Sequence, residues 1–133
     1  MRNLVEKRLD TRPSAGFNLV AALDGQAIGL MWDGALRVVE LGLGAHVVSS
    51  DRDVDDPSLH ERVEFEHFLK TGPADPERLP EFLSSHEGAH PVCKHGERFG
   101  TVSSTIYEEW SGERRLWHAQ GPPCRTPFEV IAE

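Results

Sequence analysis

Cysteine and long apolar runs are both scarce in this sequence. The chain has two cysteines, Cys93 and Cys124. The first residues, Met1–Asp10, are charged and do not resemble a secretory signal peptide. No run approaches the roughly 18 apolar residues that a membrane-spanning helix needs. We therefore expect a protein without a membrane span, located in the cytoplasm, where both thiols stay reduced.

Positive charge is also scarce. The sequence has 14 Lys and Arg residues against 22 Asp and Glu residues, which gives a formal net charge of −8. A surface of that sign repels phosphate backbones and anionic lipid headgroups. We therefore expect no nucleic-acid partner, since no basic stripe with interleaved aromatics interrupts the acidic composition. The 133 residues, of which 38% are apolar, predict a single globular domain over residues 1–133.

Turn dipeptides divide the first third of the chain into β-prone segments. Asp24-Gly25 and Asp33-Gly34 are strong two-residue hairpin signals. They separate the segments Phe17–Leu23, Ala27–Trp32 and Leu36–Leu41. Three strands joined by such short turns predict an antiparallel β-meander.

Helix signals dominate the middle of the chain. Asp56-Pro57 is a typical helix start, because Asp caps free N–H groups and proline suits the first helical position. Ser58 with Glu61 offers a competing capping box. The apolar residues that follow predict one main helix, which ends near Lys70 before Gly72-Pro73. A short helix is expected around Leu79–Leu83, and one or two further helical turns at Asn3–Leu9.

A β-hairpin is predicted near the C-terminus. Phe99–Trp110 shows strand alternation, Ser111-Gly112 forms the turn, and Glu113–Ala119 returns as the partner strand. We expect this hairpin to join Phe17–Leu23 in one sheet. The fold class is therefore α+β, with an antiparallel sheet made of a meander plus a C-terminal hairpin, and one main helix.

Zinc-type ligands are concentrated between the helices and this hairpin. His86-Glu87-Gly88-Ala89-His90 matches the H-E-x-x-H motif of zinc proteases, which needs a continuous helix to present both imidazoles. Gly88 weakens a helix and Pro91 follows the second histidine directly, so the motif is expected to lie in a loop. The wider candidate set is His86, His90, Cys93 and His95, with His118 and Cys124 downstream. Its spacings match no common structural-zinc pattern, so we expect no stoichiometric zinc and no cofactor. A zinc-binding module using His86, His90, Cys93 and His95 is the alternative.

Cys93 and His95 are also the candidate catalytic residues. Residues two apart on an extended strand share one face, so the thiol and the imidazole are expected to come into contact. Such a pair is the minimum that a cysteine nucleophile and its base require. The sequence has no G-x-S-x-G segment that would indicate a serine nucleophile instead.

Several motifs in order along the chain resemble a known family. They are Gly16–Ala22 before a hairpin, Leu43–Ser50, Val92–His95 leading into Phe99–Ile106, and Gly121–Cys124. Their order and spacing resemble the C-terminal half of the NRDE (transport-and-Golgi-organisation) family. The resemblance extends over most of residues 16 to 131. The most specific part is the cysteine-containing segment before the Gly-Thr strand.

The resemblance implies a fold and an activity. Members of this family are similar in fold to the four-layered αββα N-terminal-nucleophile (Ntn) hydrolases, and they begin Met-Cys with that cysteine as nucleophile. This chain begins Met1-Arg2, and Asp51-Arg52-Asp53 does not stand where the family's Asn-Arg-Asp-Glu signature would lie. The family's catalytic residues therefore carry over to no position here.

Two functions follow from the resemblance. We expect a non-catalytic or incomplete unit that binds a partner or a small ligand, as a homo-oligomer or together with a missing N-terminal half. The alternative is an Ntn-type amide (C–N) hydrolase whose catalytic half lies outside this chain.

Overall fold

The described part of the chain comprises two compact units. A computed structural model describes residues 16–23, 25–49, 52–73 and 75–132. The two units are Met1–Arg62 and Val63–Glu133. This division does not test the prediction of one domain, because one domain can contain two compact units. The predicted helical turns at Asn3–Leu9 lie outside the described residues.

The first unit contains a three-stranded antiparallel meander. Its strands are β1 (Phe17–Leu23), β2 (Gln26–Trp32) and β3 (Leu36–Leu41), in the order β1-β2-β3. Leu23 pairs with Gln26 across the first turn, so only two residues connect β1 and β2. These strands confirm the predicted meander, with one extra residue at the start of β2.

β2 is the buried strand of this sheet. Ile28, Leu30 and Met31 are all buried. Because successive strand residues point to opposite faces, burial of both Leu30 and Met31 means that β2 is covered on both faces. β1 differs, since Leu19, Val20 and Leu23 are between 45% and 49% exposed.

A charged network fixes the loop that follows β3. Nδ1 of His46 lies 2.6 Å from Oδ2 of Asp55, and its Nε2 lies 3.0 Å from the Gly42 carbonyl oxygen. Both partners accept hydrogen bonds, so the protonated imidazolium fits best, and the Asp55 contact raises the pKa of His46. Desolvation raises the pKa of Asp55, but hydrogen bonds from His46 and the Val47 N–H, with the charge of Arg62, outweigh it and lower that pKa. The loop is therefore held by a pair of complementary charges.

Two helices and a second sheet follow. Helix α1 (His60–Lys70) crosses the boundary between the units, and helix α2 (Leu79–Ser84) lies in the second unit. The strands β4 (Ser104–Trp110), β5 (Glu113–Ala119) and β6 (Glu129–Ala132) form an antiparallel sheet in the order β4-β5-β6. The aromatic rings of Phe68 in α1 and Phe82 in α2 stack with centroids 4.6 Å apart, which joins the two helices.

The main helix begins later than its sequence signal predicts. Oδ1 of Asp56 accepts hydrogen bonds from both the backbone N–H and the hydroxyl of Ser58, at 2.8 and 2.6 Å. The Leu59 N–H donates to the Asp56 carbonyl oxygen at 3.0 Å. Asp56 thus caps a tight turn, and the helix starts after that turn at His60. The end of the helix at Lys70 is confirmed.

The C-terminal hairpin is confirmed in its turn and its second strand. Trp110 pairs with Glu113, and the two residues between them, Ser111 and Gly112, have φ angles of 47° and 83°. Positive φ at both turn positions matches the right-handed twist of a two-residue hairpin, and glycine adopts it without strain. The first strand starts at Ser104 rather than at Phe99.

One further expectation about this hairpin was wrong, and one strand beside it was not predicted. It does not share a sheet with β1, because each of the two sheets contains three strands that pair among themselves. Its third strand, β6, was not predicted, since Glu129–Ala132 is a short segment with four exposed residues and no hydrophobic alternation. The α+β class with one main helix is nevertheless confirmed. Among the described residues, no helix is long and apolar enough to cross a membrane.

Candidate metal centre

Four zinc-type side chains converge in the second unit. They are His86, Cys93, His95 and Cys124, and their donor atoms all lie within 4.8 Å of one another. His86 follows helix α2, Cys93 and His95 lie in the segment before β4, and Cys124 follows β5. The donors therefore come from three separate stretches of chain, which only the folded unit brings together.

A short backbone turn presents Cys93 and His95 on one side. His95 forms an isolated antiparallel bridge with Gly100, and the Gly96 N–H donates to the Phe99 carbonyl oxygen at 2.9 Å. A Cβ on Gly96 would lie 2.7 Å from that oxygen, so the turn requires glycine there. The Thr101 N–H closes the turn at its base by donating to the Lys94 carbonyl oxygen at 2.9 Å. We call this segment, residues 93–101, the knuckle.

The end of helix α2 fixes the first histidine against the knuckle. The Cys93 N–H donates to the Ser85 carbonyl oxygen at 3.0 Å, directly beside His86. The Ser85 N–H in turn donates to the Phe82 carbonyl oxygen at 3.1 Å, within the last turn of the helix. As a result the His86 and His95 rings meet edge to face, with centroids 5.0 Å apart and planes at 70°.

The hairpin carries Cys124 to the same place. Ser104 pairs with Ala119, so the chain before β4 and the chain after β5 emerge at the same end of the hairpin. A single turn then forms, in which the N–H groups of Arg125 and Thr126 donate to the Pro122 carbonyl oxygen at 2.9 and 3.0 Å. Cys124 lies inside this turn.

The measured separations fit a four-coordinate metal. Nε2 of His95 lies 3.7 Å from Sγ of Cys93 and 3.1 Å from Sγ of Cys124. Tetrahedral zinc, with bonds of about 2.3 Å to sulfur and about 2.0–2.1 Å to nitrogen, places its ligand atoms about 3.3–3.8 Å apart. The other donor separations in the cluster are at most 4.8 Å.

Burial differs sharply across the cluster. Cys93 is 1% exposed, Cys124 is half-buried, and both histidines are exposed. Desolvation raises the pKa of the Cys124 thiol, and the neighbouring Cys93 thiol raises it further. Both cysteines are free thiols, so each sulfur is available as a ligand. The cluster thus has a buried sulfur on its inner side and two imidazoles facing solvent.

The structure brings together three of the four predicted metal candidates. His86, Cys93 and His95 belong to the cluster, whereas His90 does not and Cys124 takes the fourth place. The segment containing His90 is not helical, as Gly88 and Pro91 predict. His118 lies on β5, where its Nδ1 is 2.9 Å from the Thr105 hydroxyl, and it is not a member of the cluster.

The predicted contact between Cys93 and His95 is also present, at 3.7 Å. Burial of Cys93 keeps its sulfur away from a substrate, so the pair is better placed to bind a small ion than to attack a peptide or amide. Its candidacy as a nucleophile and base stays a prediction.

Comparison with known proteins gives no relative for this chain. No family model matches the sequence, no curated protein matches it, and no solved structure matches the fold. The resemblance to the NRDE family and to the Ntn hydrolases therefore stays a prediction.

Proposed function

We propose that the second unit is a zinc-binding module, in which one zinc ion is bound by His86, Cys93, His95 and Cys124. The observation that carries this proposal is the convergence of four donor atoms within 4.8 Å from three stretches of chain. Ligand chemistry supports zinc over the common hard cations. Two sulfurs and two imidazole nitrogens suit a tetrahedral zinc site, whereas calcium and magnesium select oxygen ligands.

The number of ligands favours a structural role for the metal. Catalytic zinc keeps one position open for water or substrate, whereas four protein ligands fill a tetrahedral shell. The segments that supply the ligands also contain little regular structure, since residues 85–94 and 120–128 have no helix or strand. A metal that joins them would provide order that backbone pairing does not. This role fits the non-catalytic unit expected from the sequence, whereas the bound zinc departs from the expectation of no stoichiometric metal.

Two substitutions distinguish this ligand set from the one that the sequence suggests. We expect wild-type protein to bind one zinc per chain, and Cys124→Ser to lose stoichiometric binding because it removes one of four ligands. His90→Ala is the matched control, since His90 lies in the same loop as His86 but not in the cluster. It should bind zinc like the wild type. Elemental analysis after dialysis against a weak chelator measures both.

Two results would contradict the proposal. One is wild-type protein that holds no zinc after purification and refolding with the metal. The other is zinc that is lost with His90→Ala and retained with Cys124→Ser, which would support the sequence-based ligand set. X-ray absorption on the loaded protein provides a separate check, because two sulfurs at about 2.3 Å and two nitrogens at about 2.0 Å are expected.

We further propose a partner and a location for the chain. β1 lies at an edge of its sheet within the described residues and exposes Leu19, Val20 and Leu23, which supports a homo-oligomer or a complex with another chain. A net charge of −8 supports the absence of nucleic acid from the partners. Free thiols in the zinc site support the cytoplasm, which keeps cysteines reduced. Light scattering tests the oligomer, and a chain that stays monomeric at high concentration would refute it.

A further inference from the structure

The two sulfurs of the cluster are close in space and distant in sequence. Cys93 and Cys124 are both free thiols, and their sulfurs belong to the group of donors within 4.8 Å of one another. A disulfide bond is about 2.05 Å long, so each sulfur has a short distance to travel. A rotamer change of one cysteine moves its sulfur by roughly 3 Å, which is about the distance that remains to be closed.

The two thiols differ in access to solvent. Cys93 is 1% exposed and its N–H is bonded to the Ser85 carbonyl oxygen, so its position is fixed. Cys124 is half-buried and lies in the turn after β5, outside any strand. A small oxidant therefore reaches Cys124 first, and the buried sulfur of Cys93 lies beside it.

We propose that Cys93 and Cys124 form a peroxide-sensitive pair, in which oxidation to a disulfide releases the bound metal. This inference rests on the proposed zinc site, since it describes how that site would be regulated. A disulfide uses both sulfurs as bonding partners and leaves two imidazoles as ligands. Two remaining ligands do not hold zinc at the affinity of four.

The reaction proceeds in two balanced steps. In the first, the Cys124 thiolate attacks one oxygen of hydrogen peroxide. An S–O bond forms, the O–O bond breaks, and the departing hydroxide takes a proton to become water. In the second, the Cys93 thiolate attacks the sulfenic sulfur of Cys124. The S–S bond forms, the S–O bond breaks, and the departing hydroxide takes a proton from the solvent to become a second water. Two thiols lose two electrons in total and peroxide gains them.

The test treats zinc-loaded, full-length protein with hydrogen peroxide and stops the reaction with catalase. Zinc release is followed with a chromogenic chelator, and the cysteines are mapped by mass spectrometry after alkylation. We expect one zinc released per disulfide, a peptide pair linked through Cys93 and Cys124, and recovery of binding after dithiothreitol and zinc. His90→Ala should behave like the wild type.

Single-cysteine variants test the order of the two steps. Cys93→Ser should accumulate sulfenic acid at Cys124, which dimedone captures. Cys124→Ser should react at least about tenfold more slowly, because burial protects the remaining thiol. Equal reaction rates in the two variants would overturn the assigned order.

Other outcomes separate this inference from the zinc proposal. If the protein binds zinc and peroxide yields only over-oxidised or intermolecular products, the disulfide proposal is wrong and the zinc proposal still holds. If the protein binds no zinc and the same disulfide forms, the zinc proposal is wrong, and Cys93 and Cys124 are still a peroxide-sensitive pair. If neither zinc binding nor a disulfide is observed, both are wrong.

Discussion

Removal of the metal is the perturbation that best tests how the second unit is held together. In the proposed site, zinc joins the knuckle to the turn after β5, through His95 and Cys124 among others. These two residues are 29 positions apart in sequence. A metal between them therefore closes a loop of that length, and chelation opens it.

The magnitude of the effect follows from the loop length. Cross-linking a loop of 29 residues is expected to stabilise the ordered state by roughly 3–4 kcal/mol, through lost conformational entropy of the open state. With about 1.4 kcal/mol for each tenfold change in an equilibrium constant, that energy corresponds to between about 100-fold and 1,000-fold in local opening. This is an upper estimate, because the hairpin that pairs Ser104 with Ala119 already closes most of the loop, and an open segment keeps part of its structure.

Amide hydrogen exchange measures this local opening at individual residues. Four backbone N–H groups depend on the ordered segments around the cluster: those of Cys93, Gly96, Thr101 and Arg125. We expect their exchange rates to rise by up to the calculated factor when EDTA removes the zinc, and to fall again when zinc is restored. EDTA already saturated with zinc is the matched control for the chelator itself.

An internal reference comes from the first unit. The Asp55 N–H donates to the Val47 carbonyl oxygen at 3.0 Å, in a loop that has no ligand of the cluster. Its exchange should be unchanged by EDTA. Equal exchange of the four amides with and without zinc would refute a stabilising role of the metal. Acceleration of the Asp55 amide as large as theirs would refute a local role, because the effect would then be global.

Two further predictions concern the first unit. Val20→Glu should weaken the proposed oligomer, because it places a charge among half-exposed apolar side chains of β1, and light scattering should show a lower mass than for the wild type. His46→Gln should flatten the pH dependence of unfolding, measured in urea. Because the pKa of His46 is raised, its contribution to the free energy of unfolding is complete below pH 6.5, the ordinary pKa of histidine. That contribution is lost as the pH rises through the folded-state pKa. Because the pKa of Asp55 is lowered, its contribution to the free energy of unfolding is present above pH 3.8, the ordinary pKa of aspartate. That contribution is lost as the pH falls through the folded-state pKa. The pair is therefore worth most between those values, at up to about 1 kcal/mol for partly exposed groups. A variant with the wild-type profile would contradict this assignment.

Local sequence signals predicted the elements that depend on local chemistry. The meander follows from two Asp-Gly turns, and the strand Glu113–Ala119 follows from the Ser111-Gly112 turn before it. The helix start predicted from Asp56-Pro57 was wrong, because Asp56 can cap a turn as well as a helix. The competing capping box of Ser58 with Glu61 lies closer to the observed start at His60.

The alternation of residues along the sequence did not predict which segments pair with each other in the folded chain. Phe99–Ser103 has the alternation of a strand, yet it lies outside β4 and Gly100 pairs with His95 instead. The knuckle competes for this segment with backbone hydrogen bonds of its own, including the one from Thr101 to Lys94. β6 was missed for a related reason: its four residues are ordered by pairing with β5, while their own side chains are exposed.

The ligand set shows which parts of a site can be predicted from the sequence alone. Strand geometry places residues i and i+2 on one face, so the contact between Cys93 and His95 was predictable and is present. Gly88 and Pro91, which disfavour a helix around His90, also argued against His90 as a ligand. Cys124 required one more step. A hairpin that pairs Ser104 with Ala119 must bring the chain before its first strand next to the chain after its second. The predicted hairpin therefore brings these two segments to one end of the sheet, but neither its register nor the spacing of the cysteines and histidines shows that Cys124 meets Cys93 and His95 there.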